Sequence, residues 1–367
     1  MALTISIPNT LRKQVEAASQ GKNTVHYTAK GQPSYFYVLE AFNDAVLGAL
    51  HPAFSVAKLD GSGNTAKTEI FVGMYLGHLR NGELLSLPGV APTASLTHDQ
   101  VMTYALACGT GYHAANNAEW AALQQACYAA GFQPNGNTNY GRSSDNTAER
   151  GVNSTTGRLA ATTGTATTTT LTGSGPSSWR HTNNAFGISD LCGCLWEWSP
   201  GVRINSGEIN VISYDGTTIA NPALASVVDL AAASAKWYAI DGATGALVAA
   251  TLGSPVTGTV RYVNSNSLPV QAYSLYRATG GTFEGMLATA DLTGTLALNL
   301  CRMHGFFPVA GATGSDDGFY LNTAGEMCPL RGGTFSDSGV SGLSALNCNG
   351  ARSDVGTRLG GRLALSL

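Results

Sequence analysis

Apolar residues in this chain come in short runs, with glycine scattered among them. With 45 glycines against 13 prolines, the pattern is one of tight turns joining short strands, with little room for long helices. Hydrophobic residues make up 44% of the 367, enough for a sizeable core, while charged residues contribute only 12%. A chain of this length holds two domains, or one core with large insertions.

Charge and cysteine usage exclude several function classes. The net charge is −3 and no lysine follows Lys236, so no basic footprint for nucleic acid is present. No apolar stretch approaches the roughly 18 residues that a membrane span needs, so no membrane insertion is expected. The segment MALTISIPNTLRKQ lacks the apolar core of a secretion signal, and the product is expected to be made in the cytoplasm. The seven cysteines (Cys108, Cys127, Cys192, Cys194, Cys301, Cys328 and Cys348) are odd in number and irregularly spaced, which argues against a disulfide framework. Cys192 and Cys194 are separated by one residue, not the two to four usual in zinc sites, and the seven histidines are scattered. No metal is therefore predicted from these residues. Asp316-Asp317 is only weakly like a calcium-binding turn.

Along the chain, residues 1–68 read as a small attachment or oligomerisation segment, with SYFYVLEAF as its strongest apolar run. From Glu69, EIFVGMYLGHL predicts a strand. Thr97 or Asp99 is placed to cap a short helix reaching Ala107. Asn116-Asn117 can cap AEWAALQQACYAAG, and Gly131 can end it. Trp120, Leu123, Ala126, Cys127 and Ala130 then share one helical face. Residues 151–178, with ten Thr, five Gly and four Ser, have too few apolar groups for a core and predict a long loop. FGISDLCGCLWEW (186–198) is the densest block. The strand-rich sequence after it, about 205–300, reads as an insertion. Helices embedded among many short strands give an α+β fold.

Three blocks, in this order, resemble the formylglycine-generating-enzyme branch of the C-type lectin fold. They are YHAANNAEWAALQQA (112–126), GISDLCGCLWEW (187–198) and LRGGTF (330–335). Cys194 stands where that branch usually has Asn, and Leu195 where it has Val. The resemblance implies a C-type-lectin-like domain over 69–367 with a small N-terminal segment and the insertion at about 205–300. Trp120, Trp196, Trp198, Arg331, Gly332, Gly333 and Phe335 become its scaffold. Trp196 and Trp198 are expected in the core, with Glu197 between them satisfying buried backbone donors. The branch's oxidase activity needs two closely spaced reactive cysteines. Here Cys348 stands alone, with Cys328 the next nearest. No Ser-His-Asp or paired-carboxylate cluster replaces them, so the chain is not expected to be an enzyme.

Within that fold, the C-terminus is similar to the variable proteins of diversity-generating retroelements, a family that includes phage receptor-binding tips. GGTFSDSGVSGLSALNCNGARSDVGTRLGGR (332–362) aligns without a gap to the variable segment of a phage member. Gly332, Gly333, Ser341, Gly342, Ala345, Ser353, Gly360 and Arg362 fall on identical residues, and Phe335 on a Trp. The diversified, ligand-binding positions implied within 331–362 are Thr334, Ser336, Asp337, Ser338, Val340, Asn347, Asn349, Gly350, Asp354, Gly356, Arg358 and Leu359.

Two features of the residues themselves agree with this. Most of the positions share parity within each segment, and in extended chain alternate side chains point the same way, so each set would form one exposed row. Phe335, Leu343 and Ala345 would lie beneath. Adenine-directed mutagenesis of Asn codons ending in a pyrimidine cannot yield Lys, Glu, Gln, Trp or Met, and none occurs in 331–362.

The resemblance thus implies a binding module that recognises a host cell-surface protein or glycan. It would sit on a virion, as part of a phage tail and as a homotrimer, with no cofactor beyond the structural calcium that related folds often hold. The mapped row contains no Tyr or Trp, so modest affinity per domain is expected. The alternatives are a variable protein displayed on a bacterial surface and the formylglycine-type oxidase, whose cysteine pair is missing.

Overall fold

A computed structural model describes residues 7–263, 272–277, 281–309 and 316–367. It shows a mixed α+β architecture dominated by sheets, with four helices among the described residues: α1 (Ile7–Ala18), α2 (His98–Leu106), α3 (Asn117–Ala130) and α4 (Leu296–Met303). Helix starts follow the capping chemistry of the sequence. Thr97, not Asp99, caps α2 by accepting from the Gln100 amide, and the Gln100 side chain returns the bond. Asn116 caps α3 with Glu119 as its reciprocal partner, and Gly131 ends that helix at φ 64°. The expected stripe on α3 is only part of its contact surface. Trp120, Leu123 and Cys127 are buried, but so are Ala121, Ala122 and Gln124, whereas Ala130 is exposed. The helix is enclosed for most of its length and emerges only at its C-terminal end.

A six-stranded sheet is built around the predicted strand, Glu69–Arg80. Its middle is buried on both faces, so the sequence alternation there does not mark a solvent side. Pro33–Glu40 pairs with one edge of it and Arg362–Leu365 with the other. The division expected at 68/69 thus falls inside a sheet, because strands from 23–40 and from the C-terminus flank the same central strand.

The region expected as an insertion supplies six strands of an eight-stranded sheet, from Glu208–Ile212 to Met286–Ala288. Val202–Asn205 and Glu326–Met327 complete it. Its apolar residues, including Ile209, Tyr262, Leu275 and Phe283, form a core cluster with α4. Residues 151–178 form no extended strand. The loop is nevertheless anchored: Thr170 and Thr172 are buried, and the Thr172 hydroxyl donates to the Leu87 carbonyl at 2.6 Å.

A five-stranded sheet positions the C-terminal segment. Its strand order is Phe319–Leu321, Leu346–Cys348, Leu330–Arg331, Trp196–Trp198, Leu359–Gly360. Trp196 and Trp198 are buried, as their size in a glycine-rich block suggests, and the Trp198 indole donates to the Leu96 carbonyl at 2.8 Å. Glu197 departs from expectation. Among the described residues its carboxylate receives no backbone donor but a fork of two bonds from Arg362, at 2.9 and 2.7 Å. A carboxylate this buried needs a full compensating charge, and a guanidinium supplies it bidentately.

Candidate functional site

The C-terminal segment begins from a fixed base. Arg331 is fully buried and donates to the Asn117 side chain at 2.8 Å and the Gly305 carbonyl at 2.7 Å, tying its strand to the start of α3. Gly332 and Gly333 follow at φ 91° and 88°. A Cβ on Gly332 would stand 2.7 Å from the Leu191 carbonyl oxygen, and one on Gly333 would overlap Ser341. Only glycine serves at both points. Their turn sends Phe335 inward, where it is 5% exposed. Leu343 and Ala345 are buried as expected, and the Trp120 indole donates to the Leu343 carbonyl at 2.8 Å.

From this base three segments reach the surface. The first, Ser336–Val340, is not extended as its parity suggested but a turn followed by a 3-10 helix over Ser338–Val340. Ser338 is exposed, and Ser336, Asp337 and Val340 are half-buried. The second lies in and after the strand Leu346–Cys348, where alternation holds: Asn347 is half-buried between two buried neighbours, and Asn349 is exposed. The third, Ala351–Arg358, is a loop in which Asp354 and Arg358 are exposed and Gly356 half-buried, and it leads into the strand that starts at the half-buried Leu359.

Two of the twelve positions are buried, and Thr334 among them was expected at the surface. Thr334 is 0% exposed, because the two glycines turn the chain inward before it and the Ser341 hydroxyl donates to its carbonyl at 3.1 Å. Gly350 is buried against the Trp198 ring, which a Cβ there would meet at 2.9 Å.

The segments meet. The Phe335 amide donates to the Cys194 carbonyl at 3.3 Å and the Trp196 amide to the Arg358 carbonyl at 2.9 Å, so both flank one short stretch of chain. The Arg358 guanidinium lies over the Phe335 ring, 5.4 Å from its centre, a cation–π geometry. On the neighbouring strands, Tyr320 stands opposite Asn347 and Leu359 opposite Trp196. The Trp196 and Tyr320 rings meet edge to face at 6.1 Å. Three carboxylate or amide side chains also hold their own turns. Asp337 accepts from the Thr334 amide at 3.0 Å, Asn347 from Asn349 at 2.9 Å and Asp354 from Ala351 at 2.9 Å. Arg352, between the mapped positions, forks onto Glu326 at 3.0 and 2.9 Å and reaches Asp99 at 2.8 Å, clamping the third segment to the body.

Sequence reasoning missed the aromatic neighbours. Tyr320 lies before the segment considered, and Tyr140 lies nearly 200 residues away, its ring 5.8 Å from Phe335. Only Tyr140-Gly141, a turn signal with an aromatic in it, hinted at the second. A cleft of about 990 Å³ opens beside the first segment, between Gly339, Ser341 and Gly342 on one side and Tyr128, Phe132 and Arg302 on the other.

All seven cysteines are free and buried, and burial pushes the Cys328 and Cys348 thiols up to about 12, leaving them protonated. Among the described residues, no three His, Cys, Asp or Glu side chains converge to hold a metal ion. Asp317 is taken up structurally: its carboxylate accepts from the Ser344 amide at 2.6 Å. No helix among the described residues is long and apolar enough to cross a membrane.

Fold and surface together define an α+β body in which a buried C-terminal framework carries solvent-exposed turns between its strands. Among solved structures, the chain is similar to the Major Tropism Determinant I1 and P3c variants. Each match has 13% identity and a TM-score of 0.31, covering 93% of this chain and 71% or 70% of the other. The U1 variant matches at 13% identity and a TM-score of 0.30, over 94% of this chain and 72% of that one. No family model matches the chain, and no curated protein does.

Proposed function

We propose that this chain is a receptor-binding protein with a diversified recognition surface on a C-type-lectin-like scaffold, encoded by a phage or prophage. It would sit in the virion tail and select the host by contacting a cell-surface protein or glycan. The carrying observation is the placement of the mapped positions. Ten of the twelve are exposed or half-buried on three turn-bearing segments, while Arg331, Gly332, Gly333, Phe335, Leu343 and Ala345 beneath them are buried. A site that changes sequence without changing backbone needs this division, as antibody loops need their sandwich. The C-terminal likeness to retroelement variable proteins and the absence of Lys, Glu, Gln, Trp and Met from 331–362 point the same way. Trimerisation on the virion would raise avidity through multiple weak contacts.

A library randomised at Ser336, Ser338, Val340, Asn347 and Asn349 tests the reading. Sorted first for soluble folding and then on panels of bacterial cells, most members should fold, and members should differ in the cells they bind. Widespread misfolding, or identical cell binding throughout, counts against a recognition surface. The neighbouring DNA should carry a near-identical template repeat and a reverse-transcriptase gene.

A further inference from the structure

Tyr140 occupies a backbone position that its side chain disfavours. Asn139 and Arg142 exchange backbone bonds of 2.9 and 3.2 Å around a two-residue turn, and both central residues, Tyr140 and Gly141, have positive φ (51° and 89°). Turns with two positive φ values favour Asn-Gly, Asp-Gly or Gly-Gly. A bulky aromatic residue there is uncommon, since its Cβ crowds the backbone. Gly141 meets the usual requirement, because a Cβ on it would reach Ala160 at 2.5 Å. Tyr140 does not.

The fold does not depend on the ring for that turn. The Tyr140 amide donates to the Phe335 carbonyl at 2.6 Å, the Asn137 side chain accepts from the Gly141 amide at 2.6 Å, and the Ser338 amide donates to the Thr138 carbonyl at 2.9 Å. All three bonds use the backbone of the turn and survive a change of side chain at 140. What the strained position achieves is to set a half-buried phenol beside Phe335, over whose ring the guanidinium of the exposed Arg358 lies. Strain held in place by its surroundings is a pointer to function.

We infer that Tyr140 is a constant anchor of the recognition surface, contacting a protein partner while the residues around it vary. This rests on the receptor-binding reading. Tyr140 lies outside 331–362, so diversification of that segment leaves it unchanged. Tyrosine supplies a large, rigid contact area at low entropic cost, and Tyr and Arg are the residue types that dominate the centres of protein interfaces. The surface has the anchor that its variable row lacks.

The test displays the full-length chain with Ser336, Ser338, Val340, Asn347 and Asn349 randomised and Phe335 and Arg358 kept. Selection on immobilised lysozyme runs in three backgrounds: Tyr140, Tyr140→Phe and Tyr140→Asn. Asn suits the turn better than Tyr, so its background should melt at the same temperature or higher. The Tyr and Phe backgrounds should yield binders. The Asn background should yield at least tenfold fewer, and Tyr140→Asn placed in a selected binder should weaken its Kd at least tenfold. Equal yields and affinities in the Asn background would overturn the anchor and leave the recognition surface standing. A melting temperature that falls along with binding would also overturn it, by making the ring a structural support. No binders in any background would overturn the anchor and the receptor-binding reading together.

Discussion

Within 331–362 two kinds of chain alternate, and they are held by different forces. Arg331–Phe335 and Ser341–Leu346 are buried, fixed by close contact and by bonds to distant residues such as Asn117, Trp120 and Asp317. Ser336–Val340 and Ala351–Leu359 are at the surface, and each shapes itself through a local turn bond from Asp337 or Asp354. The contrast teaches where change is tolerated. A buried residue with several partners carries the fold, whereas an exposed residue bonded only to its own turn, or to nothing, carries little of it.

Acid should have the largest effect, and it acts on the body beneath rather than within 331–362, which contains no histidine. Burial depresses His51 and His181 to about 4 and His304 to about 3, against an ordinary value of 6.5. The unfolded chain therefore takes up protons first as pH falls. The stability at stake is fully present above pH 6.5 and is lost between 6.5 and about 3, most of it by about 4. The three rings share this direction, whereas His113, against the pull of burial, is shifted up by the Glu119 carboxylate and opposes them, so the net loss is smaller than their sum. Urea titrations from pH 7 to 4 should show the midpoint collapsing across that window. A flat midpoint would mean that these rings are not held neutral in the core.

Next in size are single replacements in the buried framework. Arg362→Met leaves the Glu197 carboxylate buried without its partner and should cost about 3–5 kcal/mol. Trp198→Ala should cost about 3–5 kcal/mol through the cavity it opens. Thermal melts read both. Binding lost at an unchanged melting temperature would move Trp198 from the framework into the contact surface.

Smaller effects distinguish the surface residues from one another. Asp337→Ala and Asp354→Ala each remove one turn bond and should cost about 0.5–1.5 kcal/mol, visible in denaturant midpoints. Ser338→Ala and Asn349→Ala should stay within about 0.5 kcal/mol. If the aspartates proved as silent as Ser338, local turn bonds would not shape these segments.

Helix caps at Thr97 and Asn116, the end of α3 at Gly131 and the strand from Glu69 were legible because each depends on residues within a few positions of one another. The buried Trp196 and Trp198 and the turns at Gly332 and Gly333 were legible for similar reasons of size and backbone freedom. Parity failed over 334–340 because alternation describes only extended chain, and two positive-φ glycines followed by a 3-10 helix are not extended. The ion pair of Glu197 with Arg362 spans 165 residues, and no local pattern signals it.

The sequence by itself determined an α+β chain of short elements and the positions of its caps and glycine turns. Tertiary structure alone decided that Thr334 and Gly350 lie inside, that Arg358 stacks on Phe335, and that Tyr140 joins them. The physical reason is range. Capping and backbone sterics act over a few residues and are written in local sequence, whereas burial and ring contacts depend on which distant segments the sheets bring together.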